Sequence, residues 1–257
     1  MSGLVRHAAD APERRTGNDA AALRDVIDAA HGCELFTLRQ LRVVTGRSAA
    51  RSTGEADELL FVRSGRGLLI TADGEHRLEP ETGALVARGD HYELDNEGPE
   101  DLLVVDCCLH APLPGEGGER PATRLSVLAD ATAQAATAER EFRIVFDPDN
   151  GCSCATQFVG YIPVGAAPAH YHLYDEVIYI LEGEGVMHMN AAQTPLSAGS
   201  CIHLPARTVH ILANSGPGVM RVLGVFRPAG SPAAAFYPDG TPATYGVGEP
   251  KLASMST

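Results

Sequence analysis

The stretch Gly165-Ala166-Ala167-Pro168-Ala169-His170-Tyr171-His172-Leu173-Tyr174-Asp175-Glu176 decides how this chain is read. In an extended strand alternate side chains share a face, so His170-x-His172 aims two imidazoles into one space. Leu173-Tyr174-Asp175 forms a tight connection, and Glu176 opens the apolar run that follows, which brings a carboxylate beside both rings. Downstream, Cys201 to Leu204 reads as a strand and Pro205 to Val209 as a turn, after which comes His210. In a closed barrel this fourth group arrives from the opposite side. Three neutral imidazoles and one carboxylate suit a borderline divalent metal: iron, manganese, nickel, cobalt, copper or zinc. Octahedral coordination leaves two positions open for chemistry, whereas tetrahedral zinc leaves none, and the sequence alone admits both.

Working outward from this stretch, the chain repeats itself. Arg24, Asp28, Gly32, Cys33, Thr37 and Gly46 recur 119 residues later as Arg143, Asp147, Gly151, Cys152, Thr156 and Gly165. Further on the offset becomes 118, where Asp57-Glu58-Leu59-Leu60-Phe61-Val62 matches Asp175-Glu176-Val177-Ile178-Tyr179-Ile180, and Gly65 and Gly67 match Gly183 and Gly185. A single loop deletion leaves such a one-residue slip. Two copies are too few for a solenoid, so two similar domains are expected. The Pro/Gly-rich run from Ala111 to Gly118 places the division, giving an N-terminal domain over 1–118 with a polar leading tail and a C-terminal domain over 119–257.

Within each copy the apolar segments are short, rich in Val, Ile, Leu, Tyr and Phe, and punctuated by Gly and Pro; Thr156 to Val164, Glu176 to Leu181, Val186 to Asn190 and Met220 to Phe226 are examples. Such a pattern predicts an all-β sandwich or barrel, with a short helix in the Ala-rich segment Leu125 to Glu141. A formal net charge of −13 with no basic cluster disfavours nucleic acid and anionic membrane surfaces as partners. No apolar run reaches the roughly 18 residues that span a bilayer. Met1 to Asp19 carries no apolar signal core, so a cytoplasmic setting is expected. Six cysteines then read as reduced thiols rather than a disulfide framework, and Cys152-x-Cys154, lacking a second pair, as structural.

Here the motifs resemble a known family. Gly165-x4-His170-x-His172-x3-Glu176-x6-Gly183 looks like the first cupin motif, and Gly199-x5-Pro205-x4-His210-x3-Asn214 looks like the second. Arg207 stands where the family usually has glycine, which implies a differently shaped turn before His210. The motifs cover about 50 residues directly, and the repeat extends the likeness to both halves, so the chain resembles a bicupin. The resemblance implies two tandem jelly-roll barrels, one divalent transition metal on His170, His172, Glu176 and His210, a small-molecule substrate, and a homodimer. Quercetinase-type cupin dioxygenases have a similar three-histidine, one-glutamate site. In them the metal binds a deprotonated enol or hydroxyl group that then reacts with dioxygen, which would make Glu176 the catalytic proton acceptor. Bicupins resembling ureidoglycine aminohydrolase imply the non-oxidative alternative of hydrolysis, isomerisation or lyase chemistry, although their ligand set departs from this one. A binding module without turnover is the third reading.

The N-terminal copy serves as a control. At an offset of 118, His170, His172 and Glu176 fall on Ser52, Gly54 and Glu58. Matching Gly83 to Gly199 adds a two-residue drift that puts His210 on Leu94 and Pro205 on Gly89. Only the carboxylate survives, so metal is expected in the C-terminal barrel alone. Gln157, Tyr161, Tyr174, His188 and Arg207 are the candidate substrate contacts. Gln157 and Tyr161 lie on a barrel strand, Tyr174 beside the ligand loop, and His188 on the strand after Gly185. Arg207 stands at the barrel mouth, where it would attract an anion. Strand packing or a solvated rim accounts for each of them equally well. His203 reads as a wall or core residue.

Overall fold

The computed structural model describes residues 3–110, 122–136 and 138–243. Its contacts divide the chain into two units. One comprises Arg6–Ala131 with Val145–Cys154, and the other Met1–Val5, Thr132–Ile144 and Ala155–Thr257. The Pro/Gly-rich run Ala111 to Gly118, where the sequence places the division, lies outside the described residues.

Each unit is an antiparallel two-sheet jelly roll. In the C-terminal unit the larger sheet has the strand Asp175–Glu182 between Ser200–Leu204 and Met220–Arg227, with Thr156–Ile162 and Glu141–Phe146 beyond. The smaller sheet orders Gly165–Ala166, His210–Asn214, Glu184–Met189 and Ala192–Ser197. Ile162, Ile178, Ile180, Met187, Leu212 and Val222 fill the space between them. The N-terminal unit repeats this plan, with Leu41, Leu60, Leu69, Tyr92, Leu94 and Val104 in the corresponding core. No helix among the described residues is long and apolar enough to cross a membrane. All six cysteines are buried and unbridged.

Backbone crowding explains why one pair of glycines recurs in both copies. A Cβ on Gly67 would sit 2.3 Å from the carbonyl oxygen of Asp95, and one on Gly185 would sit 2.3 Å from that of Ala213. The helix expected within Leu125 to Glu141 shrinks to one 3-10 turn, Leu128–Asp130. The residues before it, Arg124–Val127, pair with the strand Thr82–Val86, and in the Ala-rich part Gln134–Ala135 pairs with Glu141–Phe146, so sheet pairing overrides the helical preference of alanine.

The pairing also corrects the alignment of the two copies. Tyr92 lies opposite Thr71 as His210 lies opposite Met189. Asn96 donates to the carbonyls of Val43 and Glu100 as Asn214 does to those of Ile162 and Gly218. The offset therefore stays at 118, and the counterpart of His210 is Tyr92 rather than Leu94. Glu81, at φ 67°, takes the place of Gly199, at φ 98°. Arg51 pairs with Tyr92 as His170 pairs with His210, so the one-residue slip falls just after Arg51, which rather than Ser52 is the counterpart of His170. Arg207 corresponds to Gly89 and adopts the same left-handed backbone, φ 66° against 82°. Its N–H donates to the His172 carbonyl at 2.7 Å as that of Gly89 donates to Gly54. The turn before His210 thus keeps its shape without the glycine, and an arginine bears the strain.

Candidate metal centre

His170, His172, Glu176 and His210 meet inside the C-terminal barrel, each 4–8% exposed. His170 and His210 face each other across a pair of backbone hydrogen bonds, with ring centroids 4.5 Å apart. His172 follows on the same face, 5.4 Å from His170, while Tyr171 turns the other way, against Phe236. Glu176 enters from the second position of its strand, flanked by Leu204 and Phe226. The three imidazoles offer nitrogens within 4.8 Å of one another, and Glu176 Oε2 lies 4.0 Å from His172 Nε2.

Hydrogen bonding sets the direction of each ring. Nδ1 of His170 lies 2.9 Å from the carbonyl oxygen of Pro168, that of His172 2.9 Å from Ala234, and that of His210 2.9 Å from Thr208. A carbonyl only accepts, so each Nδ1 carries the hydrogen and each Nε2 presents a lone pair. Burial drives His172 down to about 3 and holds His170 and His210 below the ordinary histidine range, so all three are neutral near pH 7. Burial pushes Glu176 up to about 8, with Arg140 pulling the other way. Glu176 Oε2 is buried and receives no hydrogen bond. With Glu176 ionised, the cluster gathers acceptors with no donor among them, an arrangement that a cation completes.

Support for the cluster comes from aromatic packing. Tyr174 stacks on the His172 ring at 5.3 Å and 11°, lies against Phe226, and donates its hydroxyl to the carbonyls of Ser231 and Ala234. It is buried and steadies a histidine, so its phenol does not point at a substrate. A cavity of about 60 Å³ opens beside the cluster, walled by Phe142, Phe158, Ile162, Ile178, Leu212 and Val222. Phe158, Gly160 and Ile162 face it. Gln157 and Tyr161 alternate with them and face away, Gln157 fully buried and Tyr161 beneath the Arg221 guanidinium. His188 likewise alternates with the core residue Met187 and stands outside the cavity. Arg207 is exposed, and the group it contributes is its backbone N–H. Four of the five expected substrate contacts are therefore off the cavity by strand phase or by packing, and the fifth, Arg207, is exposed and is not part of the cavity wall. His203 is buried on the sheet face away from Ile202 and Leu204.

Residues 157–226 match the family model described as Cupin domain. This C-terminal barrel is a cupin domain. Among solved structures, the chain is similar to YlbA from E. coli, with 12% identity, 88% of this chain and 90% of that chain covered, and a TM-score of 0.73. It is also similar to oxalate decarboxylase from Bacillus subtilis, studied for its Mn(II) centres, with 13% identity, coverage of 93% and 80%, and a TM-score of 0.72. AerE from Microcystis aeruginosa matches at 14% identity, coverage of 86% and 98%, and a TM-score of 0.69. At such identities the likeness is one of fold. No curated protein matches the sequence.

Sequence reasoning missed Arg140. It precedes the strand Glu141–Phe146, lines the cavity with the cupin histidines, and donates to the carbonyl of Leu212. Burial lowers it to about 10, against the pull of Glu176, which still leaves it charged at neutral pH. No ligand motif contains it, and its counterpart in the first copy, Ala21, carries no signal.

The corresponding place in the N-terminal barrel is furnished differently. Glu58, Asp106 and Cys108 bring their side chains within 4.8 Å of one another. The Arg39 guanidinium donates to all three, reaching Asp106 at 2.5 Å and Glu58 at 2.8 Å. Tyr92, standing for His210, donates to Glu58 at 2.7 Å, and Arg51, standing for His170, bonds Tyr92. Arg39 and Asp106 pair across the sheet where the C-terminal barrel pairs Phe158 with Gly224.

Proposed function

We propose that the C-terminal barrel is the active site of a metal-dependent enzyme that transforms a small organic molecule, with oxidoreductase chemistry of the dioxygenase type as its reaction. The observation that carries this reading is the buried, hydrogen-bond-free Glu176 Oε2 facing imidazoles whose Nδ1 atoms are all committed to carbonyls. A divalent transition ion on His170, His172, Glu176 and His210 supplies Lewis acidity toward an enol or hydroxyl oxygen of the substrate. Glu176 is the proton acceptor. Its Oε2 faces the cluster without a hydrogen-bond partner, which leaves a lone pair to take a proton from a substrate bound beside the histidines. The apolar walls of the cavity keep water from the reacting atoms.

In the N-terminal barrel the Arg39 guanidinium stands where an ion would, so that barrel serves as a scaffold and only the C-terminal one carries metal. A second reading, non-oxidative hydrolysis, isomerisation or lyase chemistry, is favoured by the same feature, since a carboxylate with a free lone pair beside a bound ion moves protons in those reactions without oxygen. The test is metal analysis of protein purified without added metal, followed by turnover of a substrate panel with and without air. Turnover that needs air supports the dioxygenase, and equal turnover without air moves the assignment to the second reading. A chain that holds no metal, or that keeps its metal and alters no substrate, removes the enzyme reading.

A further inference from the structure

We infer that Arg140 anchors the carboxylate of a small anionic substrate, which makes small carboxylates the substrate class of the barrel; this rests on the function proposed above.

Charge is the first argument. Three neutral imidazoles, one carboxylate and one divalent ion leave the cluster at +1, and Arg140 adds another positive charge. Among the described residues the Arg140 guanidinium makes no ion pair, and its one hydrogen-bond partner is the Leu212 carbonyl. Most of its donors are therefore left for a ligand. Glu141, the remaining charged residue on the cavity lining besides Arg140 and Glu176, is exposed, so water screens it. The remaining walls are apolar, so an excess of positive charge faces a low-dielectric space, and an anion is the ligand that neutralises it.

Position is the second argument. Leu212, which takes the arginine's hydrogen bond, sits two residues beyond His210 on one strand, and both side chains face the barrel interior. Two strand residues span roughly 7 Å. A molecule held at its carboxylate by the guanidinium fork thus reaches the histidine cluster with its far end. The cavity of about 60 Å³ limits that molecule to a handful of non-hydrogen atoms. A planar fork matches a carboxylate through two parallel hydrogen bonds, which a neutral amide cannot reproduce.

The experiment titrates the full-length protein, loaded with Mn(II) and separately stripped of metal, with acetate, glycolate, pyruvate and malonate and with the matching amides, by calorimetry. At least one carboxylate is expected to bind the loaded protein at least about tenfold more tightly than its amide. Arg140→Gln should weaken that carboxylate by about 100-fold and leave amide binding and metal content unchanged. Arg140→Lys keeps the charge but loses the fork, and is expected to weaken it by about tenfold; it also gives a readout should the glutamine variant fail to fold. Unchanged carboxylate affinity in Arg140→Gln overturns the anchor, as does amide binding equal to carboxylate binding, or no carboxylate binding to the loaded wild type. A protein that takes up no metal yet binds carboxylates through Arg140 refutes the proposed function and leaves the anchor standing. Metal uptake with arginine-independent binding does the reverse.

Discussion

Loading the cluster with a divalent ion should release close to one proton near pH 7, and the count follows from the environments of the four side chains. Before the ion enters, burial holds His172 down to about 3 and His170 and His210 below their usual range, so the imidazoles carry no proton for the ion to displace. Glu176, pushed up to about 8, does carry one. One pH unit below such a value about nine molecules in ten are protonated, so binding at pH 7 expels about 0.9 proton. Linkage then makes the affinity rise about tenfold per pH unit from roughly pH 5 to 8 and level off above. An exposed three-histidine site behaves differently, losing affinity with a slope approaching three below its imidazole range near pH 6.5. Calorimetric titration of the stripped protein with Mn(II), in two buffers of different ionisation enthalpy, measures the released protons directly. Glu176→Gln should bind more weakly, release close to none, and show a flat affinity over the same range. Release of two or three protons at pH 6 would mean that the buried imidazoles are charged before the ion arrives, and the tautomer argument for the cluster would fail.

Variants at Arg39 and Arg207 probe the parts of the chain that stand in for missing family features. Arg39→Phe leaves Glu58 and Asp106 buried without their guanidinium and should destabilise the N-terminal unit by about 3–5 kcal/mol in urea unfolding. Adding Asp106→Gly recreates the Phe158–Gly224 pair of the other barrel and should recover part of that loss, so a double variant no more stable than the single one refutes the exchange of a packed pair for an ion pair. Arg207→Gly relieves a left-handed arginine and should leave melting unchanged or raise stability by about 0.5–1 kcal/mol, whereas Arg207→Val should lower it; a glycine variant clearly less stable than the wild type would show that the side chain, not the backbone, matters at this turn.

The sequence makes the four cluster residues legible because their spacing is bound to strand geometry. His170-x-His172 requires one face, Glu176 must open the next strand, and His210 must follow a turn that has room for it. Strand phase is not legible in the same way. Thr156–Ile162 is buried along nearly its whole length, with Phe158, Gly160 and Ile162 toward the cavity and Gln157 and Val159 covered on the other face. A strand covered on both sides shows no alternation of polar and apolar residues, so nothing in its composition says that Gln157 faces away. Tyr174 stands beside the ligand loop in sequence, but its work is to stack on His172 and to bond two carbonyls about sixty residues further along, and a connection over that separation leaves no trace in local sequence.

The misalignment of the second motif has a physical cause that bears on how the two barrels diverged. Matching Gly83 to Gly199 assumed that a left-handed turn demands glycine, yet the N-terminal barrel holds Glu81 in that conformation and the C-terminal barrel holds Arg207 in another where its twin has Gly89. Each copy has kept the turn and surrendered the glycine at a different place, so hydrogen bonding and not residue identity marks equivalent positions. Aligned on those bonds, Glu58, Tyr92 and Arg51 fall on Glu176, His210 and His170. One shared arrangement, a buried carboxylate in need of positive charge, is therefore answered in two ways. The C-terminal barrel surrounds Glu176 with lone pairs and leaves the charge to be brought in from outside. The N-terminal barrel encodes the charge in Arg39, covers Glu58 with the Tyr92 hydroxyl, and adds Asp106 to balance the guanidinium. A carboxylate already neutralised by a covalently attached cation gains little from a divalent ion, which would have to displace the guanidinium and leave it buried without a partner. The same reasoning motivates the anchor proposed for Arg140 in the other barrel: among the described residues on the cavity wall, the one buried carboxylate belongs to the histidine cluster, so an anionic ligand would supply the arginine's complement.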